Sequence, residues 1–514
     1  MYSSVTTAIL RGMDAVLVQV EADVSAGLPV FEMVGFLASE VKEAKERVRT
    51  ALKNCGYQLP AKRITISFSP AGIRKSGSGF DLAVAIAILA ALGVVSVRET
   101  EKKIFLGELN LSGKIVPVSG VLSMLAEAAE QGYETGVVSQ KSLSEAALIS
   151  GMDVAGFYHL KQVVSYLNKK ETMYMTAPQF PDEKGEKYFE GEQLDFAEIH
   201  GQKLLKRACE IAVAGRHHLL MIGSSGAGKT MAAKRIPSIL PPMTEGEKLE
   251  VAKIYSICGI FDKTQKWSER RPYRSPHHTI SPSGLAGGGG NPMPGEISLA
   301  HNGVLFLDEL TEFKASTLEI LRQPLEEKRV QIVRAHGNYT FPADFILIAA
   351  MNPCACGHYP DMQKCRCSES DIQKYKNKIS QPLLDRIDLC IKVEKIPYEK
   401  LYETGQEESS AKIRERVIQA HERQKRRYEK EEFFYNSQIP AKKIGKFCNL
   451  DTEQKELMNC SYENFDLSIL SYHKILKTAR TIADLEDCAE IKTEHLHEAL
   501  CYRAIDRNFW ESER

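Results

Sequence analysis

The sequence predicts a multidomain α/β protein whose central part is a parallel sheet built around a phosphate-binding loop. Three observations carry this. Gly223, Ser224, Ser225, Gly226, Ala227, Gly228, Lys229 and Thr230 reproduce the P-loop spacing, with an apolar strand-like run, His218 to Ile222, before them and helix-compatible Met231 to Lys234 after. Val304 to Leu307 is a second apolar run, ending in the paired acids Asp308 and Glu309. From Phe196 to Lys395 such runs alternate with helical stretches, which is the pattern of a parallel sheet.

The 514 residues suffice for roughly three domains. Lys plus Arg and Asp plus Glu both number 67, so the formal charge is zero and any nucleic-acid surface has to come from local segregation. Met1 to Asp23 has no apolar signal-peptide core. The longest apolar run, Leu82 to Val95, falls short of the ~20 residues of a spanning helix. A cytoplasmic protein without membrane contact is expected. Of 12 cysteines, four crowd into Cys354 to Cys367, which fits reduced thiols with one metal cluster better than a disulfide framework.

Along the chain, residues 1–168 mix both periodicities. Ala15 to Val20, Ile64 to Phe68 and Lys103 to Leu106 read as strands; Glu40 to Asn54, Asp81 to Leu92 and Ser119 to Gln131 read as helices. The polar stretch 169–193, rich in Lys, Glu, Pro and Tyr, reads as a linker. Residues 194–396 form the expected phosphate-loop core, and 397–514 a charged helical domain.

The chemistry of the core follows from residue type. The P-loop glycines let backbone N–H groups approach phosphates, Lys229 reaches the β- and γ-phosphates of ATP, and the Thr230 hydroxyl ligates Mg²⁺. In a parallel sheet Asp308 and Glu309 come to the same edge, where Asp308 can hold Mg²⁺ through water and Glu309 can serve as general base. The run Phe345 to Ala350 ends in Met351, Asn352 and Pro353, so the Asn352 amide can contact the γ-phosphate or orient the lytic water; a plain turn is the alternative. Arg386, between Leu384 and Ile387, has the setting of an arginine finger, although its spacing favours a salt bridge with Asp385 or Asp388.

Arg274 to Thr279 (Arg-Ser-Pro-His-His-Thr), the glycine run 287–290, and the long segment from Pro294 to Leu310 resemble the magnesium-chelatase-like AAA+ ATPases, specifically the YifB/ComM family, and the likeness covers essentially the whole chain. It implies an αβα AAA+ P-loop NTPase core, a C-terminal α-helical lid, and an N-terminal α+β domain similar to the Lon protease domain, with the ribosomal S5 domain 2-like fold. By the same resemblance Arg386 becomes the arginine finger and Arg480, in Lys477 to Leu485, becomes sensor 2. Both roles imply a homo-oligomeric ring, a hexamer, with ATP sites at subunit interfaces. The ComM branch implies a motor that translocates on DNA and migrates branched recombination intermediates. A metal-insertion motor subunit is the alternative, and an ATP-dependent protease a third.

The protease reading meets a direct obstacle. Gly107 to Val118 resembles the Lon-type domain, but aligning Gly77 to Asp81 on that domain's nucleophile segment puts Gly79 where the serine belongs, and the lysine position falls on Leu122 or its apolar neighbours. A shifted dyad of Ser78 with Lys75 or Lys114 is the remaining possibility. Gly35 to Ala38 also departs from the family's Gly-Leu-Pro.

Cys354, Cys356, Cys365 and Cys367 form two Cys-x-Cys pairs eight residues apart, able to close a structural Zn²⁺ site. Free or redox-active thiols are the alternative. His358 is a possible substitute ligand, and His277 and His278 suit a loop role. Arg271, Arg274, His277 and His278 with the glycine run form an insertion that would face a ring's pore and suit a DNA phosphate backbone, or else pack on the core. The cluster Arg423, Lys425, Arg426 and Arg427 reads as a solvated helical face.

Overall fold

The structure, a computed structural model, describes residues 1–169, 175–176, 194–261, 270–334, 337–396 and 407–510, with side chains to 503. The expected linker 169–193 lies almost wholly outside the described residues, as does 397–406 at the start of the expected helical domain. Two compact units emerge: Met1–Lys187 with Glu245–Trp267 and Val333–Thr340, and Tyr188–Thr244 with Ser268–Ile332 and Phe341–Arg514.

The first unit is organised on an eight-stranded mixed sheet. Its order is Met175–Thr176, Asp153–Phe157, Thr135–Ser139, Lys103–Phe105, Tyr2–Arg11, Asp14–Ser25, Arg63–Ser69, Phe31–Val34. The apolar run too short to span a bilayer becomes its central helix, Asp81–Ala91, in which every residue is buried. Such a helix needs a reason to carry Asp81. Its carboxylate accepts from Arg47 at 2.9 and 3.1 Å and from the Leu109 N–H at 3.2 Å, so the buried charge is paired at the helix start. Helix Glu245–Ile257 belongs to this unit as well: the Ser256 carbonyl accepts from the Gly120 N–H at 3.0 Å. The chain therefore leaves the second unit after Thr244 and is back in it by Arg270.

The second unit holds a five-stranded sheet ordered Tyr273–Arg274, Val304–Leu307, Ile346–Met351, Leu219–Gly223, Leu389–Val393, all parallel. Three central strands are buried along their whole length, which accounts for their continuous rather than alternating apolar character. Because the strands are parallel, their C-terminal ends share one edge. Gly223, Asp308 and Asn352 are brought to that edge from sequence separations that only the topology explains. Helices Ser410–Arg427, Thr452–Asn464, Ile469–Leu485 and Thr493–Trp510 join the same apolar core as the sheet.

The basic cluster departs from the solvated face that its charge pattern predicts. Lys425 and Arg426 are exposed, but Arg427 bonds the fully buried Asp484 at 2.8 and 2.5 Å, and Arg423 pairs with Asp487 at 2.6 Å. Two of the four cations thus close the helical region rather than facing outward.

Candidate nucleotide site

The P-loop is shaped by its neighbours as much as by its ligand chemistry. A Cβ on Gly223 would lie 2.3 Å from the Val393 carbonyl oxygen, so the strand on that side permits only glycine. Gly226 and Gly228 take φ of +75° and +94°, the left-handed turn that delivers the chain into helix Lys229–Arg235. Lys229 is buried, and its ammonium donates to the Ser224 carbonyl at 3.0 Å and to Asn352 Oδ1 at 3.2 Å. Burial pushes its pKa down, opposed by the charges of Asp308 and Glu309. Thr230 Oγ1 donates to Asp308 Oδ2 at 2.7 Å. A lysine, a threonine, a carboxylate and an amide from three adjacent strands thus meet around one loop.

A hydroxyl and a carboxylate this close, the first exposed and the second half-buried, offer the hard oxygen donors that Mg²⁺ takes. Glu309, next in sequence, sits at φ +51° and ψ +49°, donating its N–H to Asp308 Oδ1 at 2.9 Å. Its carboxylate meets His278 Nδ1 at 3.3 Å. His278 in turn packs on His277, ring centroids 4.0 Å apart, and edge-on to Phe313 at 6.4 Å. Neither this partner of Glu309 nor Tyr375 was legible beforehand. The Tyr375 hydroxyl accepts from Thr311 Oγ1 at 2.6 Å and lies in hydrogen-bond reach of the Asn352 backbone N–H, pinning the amide residue from behind. No sequence spacing joins residues 311, 352 and 375.

The two arginines are bonded to residues outside this group. Arg386 bonds Glu326 and the Pro382 carbonyl, not Asp385 or Asp388 as its spacing suggests. Asp385 instead accepts from Gln381 at 3.0 Å, while Asp388 pairs with Lys474 at 3.1 Å. Arg480 is buried; it donates to the carbonyls of Ala489 at 2.8 Å and Cys488 at 2.6 Å and to Asp484 at 3.0 Å. In this arrangement it ties the end of its own helix to the following turn.

The insertion ahead of the acidic strand also packs inward. Arg271 is buried, with its guanidinium on the carbonyls of Pro241, Pro242 and Asn302, and Arg274 grips Glu296 through two 2.6 Å bonds. Gly287–Gly288 pairs with Met293–Pro294 in a short hairpin. Of the two reasons a sequence could place arginines here, packing is the one these contacts serve.

The four cluster cysteines converge. Their sulfurs all lie within 4.8 Å of one another, with Cys354 to Cys356 at 3.3 Å, Cys354 to Cys365 at 3.8 Å and Cys356 to Cys365 at 3.6 Å. Zn–S bonds of ~2.3 Å place the sulfurs of a tetrahedron ~3.8 Å apart, so this set fits such an ion. The backbone N–H groups of His358 and Arg366 draw the Cys356 thiol down to about 6.

In the first unit no serine–lysine dyad forms at the shifted positions. The buried Lys75 amine is bonded to the Pro70 carbonyl and Ser78 Oγ to Glu108. Lys114 is exposed, its N–H bonded to Asn110 at 2.8 Å, and the nearest atom to a Cβ on Gly79 would be Val118 Cγ1 at 3.5 Å. No described helix is long and apolar enough to cross a membrane.

Comparison with known proteins agrees along the whole chain. The family model described as magnesium chelatase, subunit ChlI, matches residues 195–401; that for subunit ChlI of Mg-chelatase matches 20–142, and that for the ChlI C-terminal part matches 407–503. YifB of Salmonella typhimurium is 40% identical over 504 residues, covering 98% of this chain and 97% of that protein. YifB of Escherichia coli is 40% identical over 506 residues, with the same coverage. The competence protein ComM of Haemophilus influenzae is 41% identical over 497 residues, covering 96% of each. Full-length identity at this level, together with a P-loop and acidic strand on one sheet edge, leaves one conclusion: this chain belongs to the YifB/ComM family of magnesium-chelatase-like ATPases.

Proposed function

We propose that the chain is an AAA+ motor that hydrolyses ATP and uses the energy to move DNA, migrating branched recombination intermediates. The observation that carries the hydrolytic part is the meeting of Lys229, Thr230, Asp308 and Asn352 at one sheet edge, with Glu309 adjoining. In this reading the N–H groups of Gly223 to Thr230 cradle the phosphates and Lys229 exchanges its carbonyl and amide partners for phosphate oxygens. Mg²⁺, which supplies charge neutralisation at the β- and γ-oxygens when bound, would be held by Thr230 and, through water, by Asp308. Glu309 accepts the proton of the attacking water, and Asn352 orients that water or the γ-phosphate. Arg386 acts on the ATP of a neighbouring copy in a hexameric ring, leaving Glu326 to do so. Arg480 serves as sensor 2 only if it leaves Asp484. The four cysteines hold structural Zn²⁺. The first unit is a Lon-protease-like domain acting without proteolysis.

The DNA substrate rests on the likeness to the competence protein ComM. A second reading, a motor subunit serving a metal-insertion partner, is favoured by the magnesium chelatase descriptions of the matching family models. One experiment separates them: ATP turnover measured alone and with single-stranded, duplex and four-way-junction DNA. Branched DNA is expected to raise turnover and to be converted to duplex products. Turnover indifferent to every DNA would remove the DNA reading while keeping the ATPase.

A further inference from the structure

The cysteine centre and the phosphate loop share a wall. Cys354 follows Asn352 by two residues, and Asn352 Oδ1 is an acceptor for the P-loop Lys229. From Cys354 the chain turns through Gly357, whose φ of +78° is the left-handed geometry that favours glycine. That turn lies against the P-loop: a Cβ on Gly357 would stand 3.9 Å from the Ser225 nitrogen and 4.0 Å from Asn352 Cγ. A cavity of about 730 Å³ opens between the two segments, lined by Gly223 and Ser224 on one side and by His358, Tyr359, Asp361 and Lys364 on the other.

The cluster sulfurs hold this wall together with the Lys376 ammonium, which stands 5.5 Å over the Tyr359 ring. Between Cys354 and Cys367 there is no α-helix or strand, only turns such as Gly357 N–H to the Cys354 carbonyl at 3.0 Å and Cys365 N–H to the Asp361 carbonyl at 2.7 Å. Backbone N–H groups are instead directed at the cluster: Tyr359 N–H donates to Cys354 Sγ at 3.4 Å, and those of His358 and Arg366 reach Cys356. Donors aimed at sulfur fix the orientation of cysteine ligands around a metal. Four soft donors with no carboxylate among them select Zn²⁺ over Mg²⁺.

We propose that metal loading of the Cys354, Cys356, Cys365 and Cys367 centre controls nucleotide binding, by holding Asn352 and the Gly357 to Tyr359 turn against the phosphate loop. This rests on the reading of Gly223 to Thr230 as an ATP site. Loading is a ligand exchange without redox change: one Zn²⁺ enters, each cysteine binds as thiolate, and the thiol protons pass to solvent. Without the ion, four side chains lose their common anchor and a 14-residue loop samples other arrangements, counting Cys354 through Cys367. If the competent arrangement then falls to roughly a tenth of molecules, apparent ATP affinity falls about tenfold.

The test uses the full-length chain. Zinc content is measured by mass spectrometry, and the affinity of a fluorescent ATP analogue is measured at saturating Mg²⁺ before stripping with a zinc-selective chelator, after stripping, and after Zn²⁺ is restored. The expected result is one zinc per chain, an affinity about tenfold weaker on stripping, recovery with Zn²⁺, and a thermal transition that persists throughout. The double variant Cys356→Ser/Cys365→Ser should bind the analogue as weakly as the stripped chain and ignore added Zn²⁺. Equal affinity with and without zinc, no zinc in the protein, or loss of the whole thermal transition on stripping would each overturn the proposal. Failure of the zinc-loaded chain to bind the analogue at all would instead remove the ATP reading on which it rests.

Discussion

Glu309 is a carboxylate whose position is set twice, by a left-handed backbone and by the ring of His278. The first is local to the tight turn after Asp308; the second comes from the Arg274 to Thr279 segment. If Glu309 is the general base, Glu309→Gln should leave ATP-analogue affinity within about twofold and lower turnover by 10² to 10⁴, the range for a positioned base. Undiminished turnover would remove Glu309 from that role. His278 acts through Glu309, so it is a positioning residue. His278→Ala should lower kcat about tenfold while leaving analogue affinity intact, and His278→Gln, which can still donate to the carboxylate, should recover part of the loss. A parallel loss of affinity and rate in both variants would mean that His278 only supports the loop. The carboxylate pair itself was readable from its place behind four apolar residues. Its histidine was not, because the pairing depends on how the 30 residues between His278 and Glu309 fold back.

At the scale of elements, the edge strand Leu389–Val393 is joined to helix Ile469–Leu485 through polar groups rather than apolar contact alone. Asp388 accepts from the His218 N–H at 2.9 Å and pairs with Lys474 at 3.1 Å, while His217 Nε2 meets Thr481 Oγ1 at 2.8 Å. His218 Nδ1 accepts from the Leu347 N–H at 3.1 Å, which demands an unprotonated nitrogen. Burial pulls the His218 pKa down to about 4. Its folded value is therefore below its ordinary 6.5, so its stability contribution is complete above pH 6.5 and is lost as pH falls towards 4, because the unfolded chain takes the proton first. The loss amounts to about 3 kcal/mol at most. Asp388 acts in the same direction at still lower pH: burial alone would raise its pKa, but Lys474 and His217 hold it well below the usual carboxylate range. Denaturant midpoints should fall from pH 7 to pH 5, and His218→Asn, which keeps an acceptor for Leu347 but cannot titrate, should flatten that slope. An unchanged slope would place the titration elsewhere. In the first unit, strands Asp14–Ser25, Arg63–Ser69 and Lys103–Phe105, three of the eight in its sheet, and helices Ser39–Asn54, Asp81–Ala91 and Val121–Glu130 were readable from periodicity, as were the strands of the second unit that are buried on both faces. Strand Tyr2–Arg11 was not, because Ser3 and Thr7 interrupt its apolar pattern although both are buried, Ser3 donating to the Ala87 carbonyl at 2.6 Å. Nor could periodicity show that helix Glu245–Ile257 would join the first unit, since Ser256 pairs with residues more than a hundred positions away.

For the whole molecule, the open matter is whether one chain contains a complete ATP site. Lys229, Thr230, Asp308, Glu309 and Asn352 are assembled within a single chain, whereas Arg386 is occupied by Glu326 and the Pro382 carbonyl. Stabilising the charge of a phosphoryl-transfer transition state is worth 10³ to 10⁵ in rate where an arginine finger supplies it. A single chain lacking that group should turn over slowly, and a ring that supplies it in trans should be fast. Shared sites make a prediction that no self-contained site can meet. Arg386→Ala leaves Glu309 intact but deprives the neighbour's ATP of its arginine, and Glu309→Gln leaves the arginine but removes the base. Each variant alone should be nearly inactive. Mixed and allowed to exchange subunits, they regenerate interfaces in which an intact Glu309 faces an intact Arg386. Random mixing in equal amounts makes about a quarter of the interfaces intact, so turnover should recover to roughly that share of the wild-type rate in a closed ring whose sites fire independently. If the mixture stays as inactive as its parts while size measurements show that mixed rings have formed, Arg386 does not act across the interface, and its bond to Glu326 is its function.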